Sequence, residues 1–315
     1  MVNRVRDTVV ASPGYFSIEL ENGVRAEMTS SSRTNLFRLS FTQSSASEHG
    51  HRAGNEDESA KFPLILIDLQ DISKSLSEGE IEILPNGRIV GQGTFRASFG
   101  KGMFMAYFCA DTQGPPIKAT GTFVEDSATT DKYLGKELLR TRRSAGAWIQ
   151  FDNRAPQQIL VRVGMSFIST EQACSNAKKE VPDFDFQKVQ EAARREWKNK
   201  LDVIEVDATG VDGDLQTSFW SGLYRSFLMP QNYTGENQLW ESAEPYFDSF
   251  YCIWDSFRAQ HPLLTILDPS AQREMIRSLL DIYRHVGYLP DCRMSFCKGF
   301  SQVSPSYSDE ETCAD

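Results

Sequence analysis

Histidine and cysteine are scarce in this chain of 315 residues, which holds four of the first and six of the second. Two of the histidines, His49 and His51, fall in a polar segment, so few ligands remain for a zinc centre. Cys109, Cys174, Cys252, Cys292, Cys297 and Cys313 are too sparse for a disulfide scaffold in a chain this long. Only Cys292 and Cys297 lie near each other, and the expectation is buried thiols with room for one disulfide. Long apolar runs are missing too. A membrane span needs about 18 consecutive apolar residues, and the longest run here, Phe62–Leu69, is broken by Asp68. Met1 is followed by Val2, Asn3 and Arg4 with no apolar stretch behind them, so no secretory signal is read. A chain made as it stands is expected in the cytosol. Positive charge is in deficit, with 33 basic against 43 acidic residues and a net charge of −10. Such a surface repels phosphate backbones and anionic lipid, which argues against nucleic-acid and membrane partners. There is no phosphate-binding Walker loop, no Gly-x-Gly-x-x-Gly and no Gly-x-Ser-x-Gly, so nucleotide binding and serine-hydrolase chemistry find no support. A neutral substrate such as a sugar is compatible with everything that is missing.

What is present divides in two. Phe16, Ile18 and Leu20 alternate with polar residues, as do Val24, Ala26 and Met28 beyond Glu21-Asn22-Gly23, and that pattern predicts a hairpin. Phe37, Leu39 and Phe41 alternate again, and Pro63–Leu69 reads as a strand buried on both faces. Ile81 and Ile83 lead to the turn Pro85-Asn86-Gly87. Further strand-like stretches are Gly102–Cys109, Ala147–Phe151 and Ile159–Phe167. Eight to ten short strands at this spacing suit a sandwich. Residues 43–61 and 125–143 read as loops, with a turn of helix allowed over Tyr133–Leu139.

Near Ser169 the period changes. Phe186, Val189, Ala193 and Trp197 recur at helical spacing behind Asp183 or Asp185 as a cap. A short strand is expected over Val203–Val206. Leu215, Phe219, Leu223 and Phe227 form the stripe of a second helix. Another should open near Trp254, be interrupted at Pro262 and stop at Asp268-Pro269. The next runs from Ser270 as N-cap to Gly287 at its C-terminus. Strands followed by helices define an α+β, two-domain chain. The expected division is a β-sandwich over residues 1–169 and a linker with a connector helix over 170–212. The start of a helical domain over 213–302 and an aperiodic, disordered tail over 303–315 complete it. Leu215, Phe219, Leu263, Leu279 and Leu280 are expected to expose apolar surface.

Two clusters carry possible chemistry. In Tyr251-Cys252-Ile253-Trp254-Asp255-Ser256-Phe257-Arg258, a tryptophan offers a flat apolar surface, while Asp255 and Arg258 supply an acceptor and a donor for sugar hydroxyls. Asp255 and Arg258 also share a helix face, and from spacing alone a plain salt bridge under a core tryptophan is the commoner outcome. The second cluster, Leu289-Pro290-Asp291-Cys292-Arg293-Met294, follows a helix end, where scaffolds place binding residues. Asp291 and Arg293 are equally able to serve as turn residues. Glu236, Glu241, Glu244 and Asp248 read mostly as solvated loop charges.

These residues together resemble glycoside hydrolase family 92, the exo-α-mannosidases, and its fungal branch in particular. The Tyr251–Arg258 run, Gln260-His261-Pro262-Leu263-Leu264 and Leu289–Met294 are similar to the family's Trp-Asp-(Ser/Thr)-Phe-Arg segment and its sequel. Ser12-Pro13-Gly14-Tyr15-Phe16, Glu27-Met28-Thr29, Gly91 to Gly100 and Val161–Ser169 match as well. The resemblance implies a β-sandwich joined to an (α/α)6 toroid. It also implies calcium-dependent, inverting removal of terminal α-mannose from N-glycans and related mannans by a secreted enzyme. Trp254, Asp255 and Arg258 would contact the terminal mannose, with Asp291 and Arg293 in a nearby loop. After Gln302 the family's pair of glycines is replaced by Val303-Ser304-Pro305-Ser306. The resemblance therefore implies a piece truncated at both ends, with no catalytic carboxylate and no metal ligand in the chain, and no turnover alone. Alternatives are a non-catalytic carbohydrate-binding protein or another sandwich-plus-toroid enzyme acting on glycans.

Overall fold

A computed structural model of the chain describes residues 2–41, 63–70, 75–97, 102–135, 144–152 and 157–298. The polar segment 43–61, the tail 303–315, most of the helical turn allowed after Tyr133 and part of the Gly91 to Gly100 stretch lie outside them. The chain divides into two compact units, Met1–Gly93 with Ala106–Arg195, and Thr94–Met105 with Glu196–Asp315.

The first unit is built on strands. They are β1 (Val10–Ser12), β2 (Tyr15–Glu19), β3 (Val24–Ser30), β4 (Thr34–Phe41), β5 (Leu64–Asp68), β6 (Leu76–Ile83) and β7 (Ile89–Arg96). After these come β8 (Met103–Gln113), β9 (Ile117–Val124), β10 (Ser127–Ala128), β11 (Tyr133–Leu134), β12 (Ala145–Phe151) and β13 (Gln157–Ser166). One sheet has the order β1-β2-β3-β4-β13-β8-β7-β6-β11, the other β10-β9-β12-β5, which gives the β-sandwich expected. The predicted hairpin forms with Ile18 opposite Ala26, and Gly23 takes φ +79° in its turn, where a side chain would be strained. Alternation decides the core. Ala145, Ala147, Ile149 and Phe151 of β12 are all buried, as are Ile81, Ile89 and Ile159 from the larger sheet. Full burial of each Ile or Phe removes apolar surface worth about 1.5–3 kcal/mol.

Two readings of strands are corrected. The run Pro63–Leu69 is not buried on both faces: β5 is an edge strand, with Ile65 buried while Leu64 and Leu66 are 50% and 57% exposed. A continuous apolar run does not reveal whether a second neighbour exists. Val203–Val206 forms no strand, and both valines are exposed.

Helix α1 (Thr170–Glu180) was not expected, although its signal is present. Ser169 caps it by accepting from Gln172 N, and Ser-x-x-Gln is a capping box. The Cys109–Cys174 disulfide ties α1 to β8. Helix α2 (Phe186–Leu201) starts where predicted, with Asp185 accepting from Lys188 N. Phe186 and Val189 bury against Leu36 and Val181. The expected connector helix, α2, thus belongs with α1 to the first unit as far as Arg195.

The second unit holds α3 (Gly213–Ser226), α4 (Ile253–Ser256), α5 (Gln260–Leu267) and α6 (Pro269–Val286). Short strands β14 (Gln231–Asn232) and β15 (Phe247–Asp248) pair, as do β16 (Tyr251–Cys252), β17 (Cys292–Met294) and β18 (Cys297–Lys298) in the order β16-β17-β18. Pro262 lies in the first turn of α5, so the interruption expected there takes the form of a new helix rather than a kink. The N-cap of α6 is Asp268, which accepts from Ala271 N, rather than Ser270. Pro269 fills the first helical position, where its missing N–H costs nothing. Gly287 ends the helix at φ +88°, as its position predicted. Leu215, Phe219 and Leu280 are exposed as anticipated, whereas Leu263 and Leu279 are half-buried.

Candidate functional site

The two clusters singled out in the sequence, Tyr251–Arg258 and Leu289–Met294, meet in the second unit. Tyr251 pairs with Arg293 and Cys252 with Cys292, and the latter pair is a disulfide with Cα atoms 4.1 Å apart. The ladder stops there because α4 begins. Asp291 then holds the helix start twice: its carbonyl accepts from Ile253 N at 2.8 Å and its carboxylate from Trp254 N at 3.2 Å. Asp291 is therefore the cap of the Trp-Asp helix, supplied from the other cluster. The expectation of buried thiols with room for one disulfide underestimated the bonding, because two disulfides form and no cysteine is free among the described residues.

Trp254 is 58% exposed at the start of α4, and Asp255 and Arg258 are exposed beside it. The commoner outcome from spacing, an Asp255–Arg258 salt bridge, does not form among the described residues. The reason is length: α4 ends at Ser256, so Arg258 lies beyond the regular turn that would align it. Arg258 Nε instead donates to Trp254 O at 3.1 Å, and the guanidinium lies 5.8 Å from the Phe257 ring centroid. Asp255 has no described side-chain partner. An aromatic face, an unpaired carboxylate and a guanidinium thus stand together in solvent.

Arg293, expected at the substrate, is buried behind the ladder. Its Nε donates to Asp248 Oδ2 at 2.9 Å and its Nη2 to Tyr246 Oη at 3.0 Å. The Tyr246 hydroxyl donates to Asp248 Oδ2 at 2.8 Å, and Asp248 Oδ1 accepts from Ser249 N and Phe296 N. Asp248 is fully buried, and Tyr246 and Arg293 nearly so. Burial pushes the Tyr246 phenol well above its ordinary pKa, and the Asp248 charge adds to it, so it stays a neutral donor. Burial works against the Arg293 charge, but the Asp248 carboxylate, with the Tyr246 oxygen accepting a second hydrogen bond, holds its pKa above the ordinary value. The triad is a framework on which β16 and β17 rest.

Reading the acidic residues before Trp254 as solvated charges missed this. Asp248 and Glu236 are buried, and Glu244 pairs with Arg277 at 2.7 Å. The aromatics flanking Asp248 in Tyr246-Phe247-Asp248-Ser249-Phe250 were the available signal. Tyr246 and Phe296 stack at 5.7 Å, and Trp240 stacks on His285 at 4.7 Å while donating to Asp281 at 3.0 Å.

Comparison with known proteins agrees with this architecture. Residues 2–166 match the glycosyl hydrolase family 92 N-terminal domain and residues 172–308 match the family's catalytic domain. An uncharacterized secreted glycosidase of Arthroderma benhamiae is 39% identical over 309 residues, covering 96% of this chain and 36% of that protein. The family GH92 inverting mannosidase of Bacteroides thetaiotaomicron superposes with a TM-score of 0.75 at 25% identity, covering 92% of this chain and 37% of that one. A family GH92 α-mannosidase from the same bacterium has the same fold, with a TM-score of 0.77 at 20% identity and 39% of its chain covered. The chain spans little more than a third of the relatives it matches. It belongs to glycosyl hydrolase family 92.

Proposed function

We propose that this chain supplies the sandwich and the sugar-contact helix of an inverting exo-α-mannosidase that trims terminal α-mannose from glycans. The observation that carries the reading is the exposed Trp254-Asp255-Arg258 group, held from behind by Asp291 and the Cys252–Cys292 bond. The Trp254 ring would stack on the C–H face of the mannose while Asp255 accepts from its hydroxyls and Arg258 donates to them. Asp291 orients the helix start, and Arg293, through Asp248, positions the strand that carries it.

Inversion requires one carboxylic acid at the leaving oxygen and one carboxylate for water, roughly 6.5–9.5 Å apart. Among the described residues of the two clusters, Asp255 offers an uncommitted carboxylate, whereas Asp291, like Asp248 behind the ladder, is engaged. The chain alone is therefore proposed to bind without turnover. Calcium enters from the resemblance. Among the described residues no three acidic, imidazole or thiol groups stand where they could hold a cation. The disulfides favour an oxidising compartment and support secretion, which the Arthroderma relative's description shares.

The test is site-specific. The Trp254 indole N–H resonance, assigned by its loss in Trp254→Phe, is expected to shift on titration with methyl α-mannoside. It should stay still in Asp255→Ala at an unchanged melting temperature. Release of mannose from α-mannobiose by the purified chain would overturn the no-turnover reading, and an unmoved Trp254 signal would overturn the contact itself.

A further inference from the structure

Within the first unit a groove of about 560 Å³ runs between β6, β7 and β11 and the first turns of α1. That volume is in the range of roughly 300–1,000 Å³ common for small-molecule sites. Ile81 and Ile83 bury into the sandwich, so Glu80 and Glu82 take the opposite face of β6 and line the groove. Gln92, Arg88 and Tyr133 line it from the sheet, and Glu171 from the helix.

The polar groups are held in place from behind. The Tyr133 hydroxyl donates to Glu80 Oε2 at 3.0 Å, which fixes a ring that is 55% exposed. The other Glu80 oxygen accepts from the Gln92 amide. Arg88 donates through Nε and Nη2 to Asp111, at 2.7 and 3.3 Å, and Asp111 is itself held by buried Arg162. Arg88 Nη1 has no partner among the described residues. The helical wall is fixed to β8 by the Cys109–Cys174 bond, and Cys174 lines the groove. Groups set before a ligand arrives lose little entropy on binding it.

We propose that this groove is a sugar-binding site of the sandwich that takes a neutral pyranose chain. The Tyr133 face suits the C–H side of a hexose, with carboxylate acceptors and a guanidinium donor at hand for its hydroxyls. Glu80, Glu82 and Glu171 exclude an anionic ligand, because the Arg88 charge is already matched by Asp111. A simple cation would leave the Arg88 Nη1 donor unused. No residue of this site belongs to the Trp254 group, so the inference does not depend on the mannosidase reading.

Calorimetric titration of the purified chain with α-1,6-linked mannotriose, cellotriose and trigalacturonate tests it. The expected result is saturable binding of at least one neutral trisaccharide and none of trigalacturonate. In the Asp255→Ala background, which removes the Trp254 site so that only the groove is read, affinity should fall tenfold or more in Tyr133→Ala and at least threefold in Glu80→Gln. Tyr133→Phe keeps the ring and should fall between wild type and Tyr133→Ala. No binding of either neutral sugar overturns the proposal. So does preferential binding of the acid, or binding that Asp255→Ala removes while Tyr133→Ala leaves it intact. Failure of the Trp254 resonance to shift, with groove binding preserved, would reject the mannose contact and leave the groove standing.

Discussion

Asp111 and Asp248 are acidic residues whose neighbours in sequence do not disclose their partners. Burial raises the Asp111 pKa, but the guanidiniums of Arg88 and Arg162 overcome it and hold the group below its ordinary value. Glu27 is likewise held low, chiefly by Arg38 at 2.7 Å. A depressed folded-state pKa gives stability that is present above the ordinary carboxylate value of about 4. That stability is lost as pH falls through the lower folded value. Urea midpoints measured from pH 6 downward should therefore drop below about pH 4, and Asp111→Asn should flatten part of that fall. At pH 7 the same substitution strands buried Arg162 and is expected to cost about 3–5 kcal/mol. Arg293→Met leaves Asp248 without its guanidinium and should cost a similar amount by the same reasoning. Asp255→Ala, at an exposed position, should stay within about 0.5 kcal/mol. Equal effects of the last two on the melting temperature would contradict the division between framework and contact residues.

At the scale of elements, caps decide where helices begin and which residues they present. Asp268 ends α5 and caps α6, and it also pairs with Lys200 at 2.5 Å. Asp268→Ala should destabilise by about 1 kcal/mol through the lost cap, whereas Ser270→Ala should be nearly silent, as denaturant unfolding of both variants would show. The sequence located α6 and its glycine end because periodicity and Gly287 act locally. It misplaced the cap by two residues because Asp268, Pro269 and Ser270 are all acceptable near a first turn. It could not see that Asp291 caps α4, since that partner is 37 residues away and reaches Trp254 only through the β16–β17 ladder.

For the whole molecule, the disulfides set the conditions under which the fold persists. Each closes a long loop, with separations of 65 and 40 residues, and chain entropy values such closures at about 4 kcal/mol each. Reduction should lower the denaturation midpoint markedly, and the Cys252→Ser, Cys292→Ser pair should reproduce the part belonging to the second unit. Leu215, Phe219, Ile266 and Leu289 remain 42–79% exposed, so the chain should bind a dye such as ANS more strongly than a fully covered surface does. The sequence alone determined the order of strands then helices, the turns at Gly23 and Gly87 and the end of α6, because each follows from a few adjacent residues. The Trp-Asp-x-x-Arg group and the family resemblance were also legible, since residue identity carries both. Tertiary structure alone decided that Asp255 and Arg258 do not pair with each other, that Arg293 is buried on Asp248 and Tyr246, and that β5 is an edge. It alone joined Cys252 to Cys292. Each of these depends on a partner brought close by strand pairing or helix length, and the cost of leaving a buried charge unmatched then fixes the choice.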